Sequence, residues 1–204
     1  MKHLLLLSAF LFAQLTFAQS EQGDLSLTIG VTTIPAFNKH KIGLDFSVRH
    51  YLTDAFSGGI NFNTVSPKYN HGFGYNTDRT LINMYNISIP FQYDVINTEK
   101  LSLGFGLSNG ILLNVLRNRN EPREENDFNP DLGTHIPRRL KTESYFTLTP
   151  YVDLSYPLVA LDAKETTFIF VTSKVGYRNV FGNGSFSKSN DFSNYTISLG
   201  ITIK

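Results

Sequence analysis

The strongest constraint on the fold is an alternation of large apolar and small polar residues over the last eleven positions, 194–204. The apolar set is Tyr195, Ile197, Leu199, Ile201 and Ile203, and the set between them is Thr196, Ser198, Gly200 and Thr202. Successive side chains of a β-strand point to opposite faces. The segment is therefore predicted to be a strand with one apolar and one polar face.

A candidate export signal precedes the alternating segments. Lys2 gives a positive start, residues 4–17 are mostly apolar, and Ala18 ends a small-residue cleavage site. The apolar run is shorter than the roughly 20 residues of a membrane-spanning helix. We expect a signal peptide at 1–18 and a single domain over 19–204. Since no later stretch could span a bilayer as a helix, any span must be made of strands.

Composition excludes several classes of protein. The chain has no cysteine and a formal net charge of +1, so it contains neither a disulfide framework nor the basic surplus of a nucleic-acid-binding protein. No partner nucleic acid is expected. With 17 Phe, 10 Tyr and no Trp, an aromatic girdle at a membrane interface would consist of Phe and Tyr.

Turn residues divide the chain into eight candidate strands, whose connections alternate between short and long. The strands are predicted near 24–34, 41–52, 55–66, 80–96, 100–116, 143–158, 166–180 and 192–204. Tight inner turns, longer outer loops and an even strand number are typical of bacterial outer-membrane barrels. The fold is predicted to be all-β, an eight-stranded antiparallel up-and-down transmembrane β-barrel in the cell outer membrane.

The charged residues within these strands share one predicted face. Each falls on the polar, lumen-facing series: Asp45, Arg49, Asp94, Asp153, Lys174 and Arg178. A charge on the lipid face near the bilayer midplane would cost about 2–4 kcal/mol. Three acids and three bases favour a structural ion-pair network that fills a narrow lumen. A conduction path or a binding site for a small ion is the alternative.

A soluble, lipocalin-like ligand-binding barrel would also have eight strands, but with the apolar face inside. Here the small polar residues and the charges occupy one face, and the large aliphatic residues occupy the other. A core of Gly, Ser and Thr with buried charges would not stabilise a soluble fold, so the membrane form is favoured.

The longest predicted loop, 117–142, is rich in charges and is expected outside the cell. Near its end, Arg138, Arg139 and Lys141 are candidate contacts for lipopolysaccharide phosphates or for an envelope partner protein. A simple solvated loop is the alternative. The loop at 67–79 is rich in Tyr, Asn and Gly, a composition that suits adaptable contacts.

No enzymatic site is predicted. Residues 106–110 match the G-x-S-x-G pattern, but that motif requires a strand–turn–helix context, and here it lies inside an alternating strand. His40, His50, His71 and His135 lack metal-ligand spacing. We expect no metal, no cofactor and no catalytic residue. A lipid-modifying outer-membrane barrel enzyme, with Ser or Thr beside His at the outer rim, is the alternative.

One stretch has a specific resemblance. Ile87, Ile89, Pro90, Phe91 and Tyr93 resemble a stretch of the PorT-like outer-membrane β-barrel family in which Ile-Pro is flanked by apolar residues and followed by Tyr. The resemblance implies an outer-membrane barrel and, by analogy with the best-known member type, a component of a protein-secretion complex. It implies no catalytic residue. The chain differs from many outer-membrane barrels in that Lys204 follows the last strand where an aromatic residue is common.

Overall fold

The computed structural model describes residues 22–98, 101–122, 137–161 and 167–204. The predicted signal peptide at 1–18 lies outside the described residues. None of the described helices is both long and apolar enough to cross a membrane.

Antiparallel strands form almost all of the described chain. They are β1 (Leu25–Ala36), β2 (Lys39–Tyr51), β3 (Phe56–Val65), β4 (Lys68–Tyr69), β5 (Thr80–Thr98), β6 (Leu101–Pro122), β7 (Pro137–Ala160), β8 (Phe168–Phe181) and β9 (Asn194–Ile203). A short 3₁₀ helix, Ser189–Asp191, lies between β8 and β9.

The strands close into a ring. Neighbours follow the order β3-β2-β1-β9-β8-β7-β6-β5, and β3 also pairs with β5, while β4 adds a two-residue extension to β5. The first and last strands pair directly, with Leu27 opposite Ile203. The predicted eight-stranded antiparallel barrel is confirmed. Closure pairs both edges of the sheet, which removes the unpaired edge strands of an open sheet.

The strand limits differ most from prediction at the long outer connection. β6 continues to Pro122 and β7 begins at Pro137, with Asn118 opposite Arg138 in the ladder. The predicted loop at 117–142 is therefore wrong over 117–122 and 137–142. This part of the hairpin carries polar and basic residues on both faces, so no hydrophobic period indicates a strand there. The other charged residues of the predicted loop lie in 123–136, outside the described residues.

Pro90 lies inside β5, at the junction with β3. Gly58 pairs with Phe91 and Asn61 with Ser88, but the ladder between β3 and β5 is interrupted between these pairs. Because proline has no N–H to donate, such an interruption is expected beside it. The Ile-Pro stretch noted in the sequence thus marks a local break in the closing seam of the barrel.

The two faces of the barrel follow the predicted alternation. The outward residues Ile29, Ile87 and Leu199 are 53%, 58% and 54% exposed, whereas the inward Thr28 and Ser88 are buried. This is the inverse of a soluble barrel, so the lipocalin-like alternative is wrong.

Aromatic residues border the apolar outer surface. At the outer end, the ring centroids of Phe146 and Phe181 are 6.0 Å apart, and those of Tyr177 and Tyr195 are 5.2 Å apart. A closed ring of strands with an apolar outer band and an aromatic border matches the requirements of a lipid-embedded barrel. The protein is an outer-membrane β-barrel.

Candidate functional site

The periplasmic half of the lumen contains a buried polar cluster centred on Arg49. Its Nη2 lies 3.8 Å from Asp153 Oδ2, and its Nη1 donates a hydrogen bond to Gln92. Gln92 Nε2 donates to Asp94 Oδ1 at 2.6 Å, and Tyr51 OH donates to Asp94 Oδ2 at 3.0 Å. The cluster joins strands β2, β5 and β7 across the barrel interior.

Lys204 adds a second cation to this lower cluster. Its Nζ lies 5.5 Å from the ring centroid of Tyr51 and 5.1 Å from that of Phe170. These distances are within the range of cation–π attraction. Arg49 lies beside Asp153 and is connected to Asp94 through Gln92, whereas the Lys204 ammonium contacts the two aromatic rings.

A row of hydroxyl groups connects four strands at the same end. Ser155 Oγ is 3.0 Å from Thr172 Oγ1, which is 2.7 Å from Thr202 Oγ1. Thr202 Oγ1 is in turn 2.8 Å from Thr28 Oγ1. Because each hydroxyl can both donate and accept, the row satisfies buried polar groups across β7, β8, β9 and β1.

The upper lumen is organised by amides. Asp45 Oδ1 accepts hydrogen bonds from Asn61 Nδ2 at 2.6 Å and from Asn63 Nδ2. Asn63 Oδ1 accepts from Arg178 Nη2 at 3.3 Å and from Asn86 Nδ2 at 3.2 Å. Arg178 and Asp45 are thus connected through Asn63, with no direct ion pair between them.

The structure places all six predicted lumen charges inside the barrel, but in two separate groups. Of the six, only Arg49 and Asp153 lie within ion-pair distance. Lys174 is opposite Asp153 in the ladder, yet its Nζ lies 5.1 Å from the ring centroid of Tyr151. In place of the ion-pair network expected from the sequence, the six residues form one ion pair, amide bridges and a cation–π contact.

The outer end of the lumen is closed by an aromatic cap, which we define as Phe37, Tyr69, Phe73, Phe186 and Phe192. The ring centroid of Phe37 lies 5.4 Å from that of Tyr69, 4.8 Å from that of Phe73 and 5.3 Å from that of Phe192. Phe73 and Phe186 are 6.1 Å apart. The cap rests on buried apolar residues of the strands, including Ile34, Ile82 and Leu116.

Three outer connections supply the cap. Phe37 is in the β1–β2 turn, Tyr69 and Phe73 are in the β3–β5 connection, and Phe186 and Phe192 are in the β8–β9 connection. The cap was not predicted from the sequence, where the composition of 67–79 suited adaptable contacts or a loop beside an aromatic girdle. The available signal was the presence of Phe and Tyr in three separate outer connections.

Glu143 of β7 fastens the β8–β9 connection to the barrel wall. Its Oε1 accepts hydrogen bonds from the backbone N–H of Ser185, from Ser185 Oγ at 2.9 Å and from Phe186 N at 3.0 Å. Its Oε2 accepts from Tyr145 OH at 2.7 Å and Ser187 Oγ at 2.8 Å. Five donors around one buried carboxylate fix the loop that carries Phe186. Glu143 was not among the site residues predicted from the sequence.

Small residues make room in the lumen at two points of β6. A Cβ on Gly104 would approach Gln92 Nε2 to 2.5 Å, and a Cβ on Gly106 would overlap the ring of Tyr151. The polar cluster and Tyr151 therefore occupy the volume that side chains at these positions would fill. The G-x-S-x-G match at 106–110 lies inside β6, which continues to Pro122 without a helix.

In the described part of the chain, no histidine ring has a serine or threonine hydroxyl as its hydrogen-bond partner. His71 packs against Phe73 with ring centroids 4.8 Å apart. Among the described residues, no group of three His, Cys, Asp or Glu could hold a metal ion. His135 lies outside the described residues.

Arg138, Arg139 and Lys141 are exposed on the outer extension of β7. Arg139 is opposite Arg117, whose Nη1 donates to the carbonyl oxygen of Pro137 at 3.0 Å. β8 pairs with β7 from Phe146 onwards, so these three residues lie beyond the last paired position of that ladder. With a rise of about 3.3 Å per residue and a tilt of about 40°, they are roughly 13–20 Å above Phe146.

Comparison with known proteins gives structural likeness only. No protein-family model matches the chain, and no curated protein matches it. The chain is similar in structure to Ail, the attachment invasion locus protein of Yersinia pestis, in complex with the heparin analogue sucrose octasulfate. The identity is 13% and the TM-score 0.49, over 89% of this chain and 98% of that chain.

Two further solved structures are similar at the same level. Neisserial surface protein A (NspA) is 11% identical with a TM-score of 0.44, over 88% of this chain and 93% of that chain. The N-terminal β-barrel domain of Pseudomonas aeruginosa OprF is 14% identical with a TM-score of 0.42, over 89% and 98%. At these identities the likeness carries no information on what this chain binds.

Proposed function

We propose that this outer-membrane barrel is non-enzymatic and acts through its outer end, as a structural, adhesive or envelope-assembly component. The observation that carries the proposal is the combination of a filled lumen and an aromatic cap. Side chains from several strands interlock in the interior, and aromatic rings cover the outer mouth. Transport is therefore disfavoured, and the outer extension of β6 and β7, which is exposed at Arg119, Arg138 and Arg139, is the part of the described chain proposed for contacts.

The proposed contact surface is the basic group Arg138, Arg139 and Lys141, and the proposed ligand is the phosphate of lipopolysaccharide. Guanidinium groups recognise phosphate by paired hydrogen bonds and charge. Arg117 and Arg139 are opposite each other in the ladder, so their positive charges would repel each other if no anion were bound. An anionic ligand offsets that repulsion.

The test is binding of purified lipopolysaccharide to the refolded barrel, with dephosphorylated lipopolysaccharide as the comparison. A variant carrying Arg138→Gln, Arg139→Gln and Lys141→Gln should lose most of the phosphate-dependent binding. A matched variant carrying Lys39→Gln, Lys68→Gln and Lys188→Gln removes the same charge from other exposed outer positions. It should bind as the wild type does.

Equal binding by both variants would overturn the contact surface, and equal binding of the two lipopolysaccharides would overturn phosphate as the ligand. Binding of an envelope protein in place of lipopolysaccharide would favour the assembly role. A place in a secretion complex is a narrower form of that role and rests on the PorT-like resemblance alone. Release of fatty acid from outer-leaflet lipid by the purified barrel would support the lipid-modifying alternative.

A further inference from the structure

The upper lumen encloses a polar cavity of about 40 Å³. Its wall includes Asp45, Ser108, Tyr151, Lys174 and Arg178. The volume is sufficient for a few water molecules, or for one monoatomic ion with a water beside it. The cavity lies between the lower cluster around Arg49 and the aromatic cap.

The charges around this cavity do not balance. Lys174 and Arg178 contribute two positive charges and Asp45 one negative charge, which leaves an excess of +1. Asp45 already accepts the amide hydrogen bonds of Asn61 and Asn63. The nearest cross-strand carboxylate of Lys174, Asp153, is engaged by Arg49.

Several hydrogen-bond donors at the cavity have no partner among the described residues. Arg178 is 3% exposed and bonds to Asn63 through Nη2, but its Nε and Nη1 have no partner. The hydroxyl groups of Tyr151 and Ser108 also lack partners. Buried donors and unbalanced buried charge are both costly unless a ligand compensates them.

We propose that the cavity binds one small monovalent inorganic anion, with chloride as the physiological species, between Arg178 and Lys174. The anion accepts hydrogen bonds from the free guanidinium N–H groups and from a neighbouring hydroxyl, and it cancels the excess charge. It acts as a structural ligand of the folded barrel, and its binding is independent of the outer contact surface.

The test is reversible urea unfolding in detergent micelles, at fixed ionic strength, with sodium gluconate replaced stepwise by sodium chloride or bromide. Refolding in the presence of the salt lets the anion enter before the lumen closes. The urea midpoint should rise with halide concentration and saturate, because a ligand specific for the folded state stabilises it.

Variants at the cavity separate specific binding from a general salt effect. Lys174→Gln should weaken the apparent halide affinity by about tenfold, and Arg178→Gln should abolish the halide dependence. Lys68→Gln, on the exposed β4 extension, should leave the dependence unchanged. If Arg178→Gln does not fold, Lys174→Gln and bromide anomalous scattering from crystals of the wild type decide the question.

An anomalous bromide peak between Arg178 and Lys174 would establish the site directly. The proposal is overturned if the wild-type midpoint is the same in gluconate and in halide. It is equally overturned if Lys68→Gln loses as much halide dependence as Lys174→Gln, or if the cavity holds no bromide.

Discussion

Phe37 and Phe73 both have backbone conformations in the left-handed region, and their aromatic rings are in contact. Their φ angles are 50° and 52°, and their ring centroids lie 4.8 Å apart. A bulky side chain at positive φ costs roughly 1–2 kcal/mol. Asn38 and Gly74, which follow them, also have positive φ, as in a type I′ turn. Two strained turns from different parts of the chain therefore place their aromatic rings together in the cap.

Substitutions at Phe37 should separate backbone strain from ring packing. Phe37→Gly removes the ring but relieves the strain, so we expect a net loss of about 2 kcal/mol in unfolding free energy. Phe37→Ala loses the ring and keeps the strain, and should be about 1 kcal/mol worse than Phe37→Gly. Urea unfolding of the three proteins measures the order. An alanine variant as stable as the glycine variant would contradict the role of strain.

Replacement of Glu143 should loosen the β8–β9 connection. Glu143→Gln places an amide N–H donor against groups that already donate to the carboxylate. This should lower the free energy of local opening of the connection by about 2–3 kcal/mol. We expect faster hydrogen exchange at Ser185 and Phe186 and new protease cleavage in 183–193, with the barrel still folded. Asp191→Asn is the control, since it changes charge in the same connection but bonds only within the 3₁₀ turn through its side chain. Equal opening in both variants would argue against Glu143 as the anchor.

The buried pair of Arg49 and Asp153 should behave as a coupled unit. Arg49→Gln or Asp153→Asn alone leaves a buried charge without its partner and should cost about 3–5 kcal/mol. The double variant should lose less than the sum of the two, with a coupling of about 1–3 kcal/mol. Urea unfolding of all four proteins completes the cycle. Strictly additive losses would show that the 3.8 Å separation carries no coupling.

Glycine positions on the barrel should differ sharply in their tolerance of a methyl group. A Cβ on Gly106 would overlap the ring of Tyr151 and lie 2.7 Å from the carbonyl oxygen of Phe91. Gly106→Ala should therefore destabilise the barrel by about 1–3 kcal/mol. Gly58→Ala is the control, because its Cβ would meet the Phe91 ring at 3.4 Å, an ordinary contact. It should be neutral or stabilising, and a reversal of this order would contradict the close packing of Tyr151 against Gly106.

The face on which the lumen charges lie could be predicted from the sequence, but the partners that they contact could not. The period-two pattern placed Asp45, Arg178 and the other lumen charges on the inner face, where the structure has them. It did not indicate that Lys174 would pack on Tyr151 while Arg49 takes Asp153. Which lumen side chains contact each other depends on how far each extends across the barrel. The alternation along a strand indicates only the face on which a side chain lies.

The sequence by itself determined the eight strands of the ring, apart from the outer extensions of β6 and β7, and which face meets lipid, because these are properties of neighbouring residues and local turns. Only the tertiary structure decided the polar pairings and the aromatic cap. Tyr51 and Asp94 are 43 positions apart, and Thr28 and Thr202 are 174 apart. Contacts at such separations follow from the register of eight strands and from the closure of the ring. The cap likewise requires three loops to converge over one mouth, which no local pattern encodes.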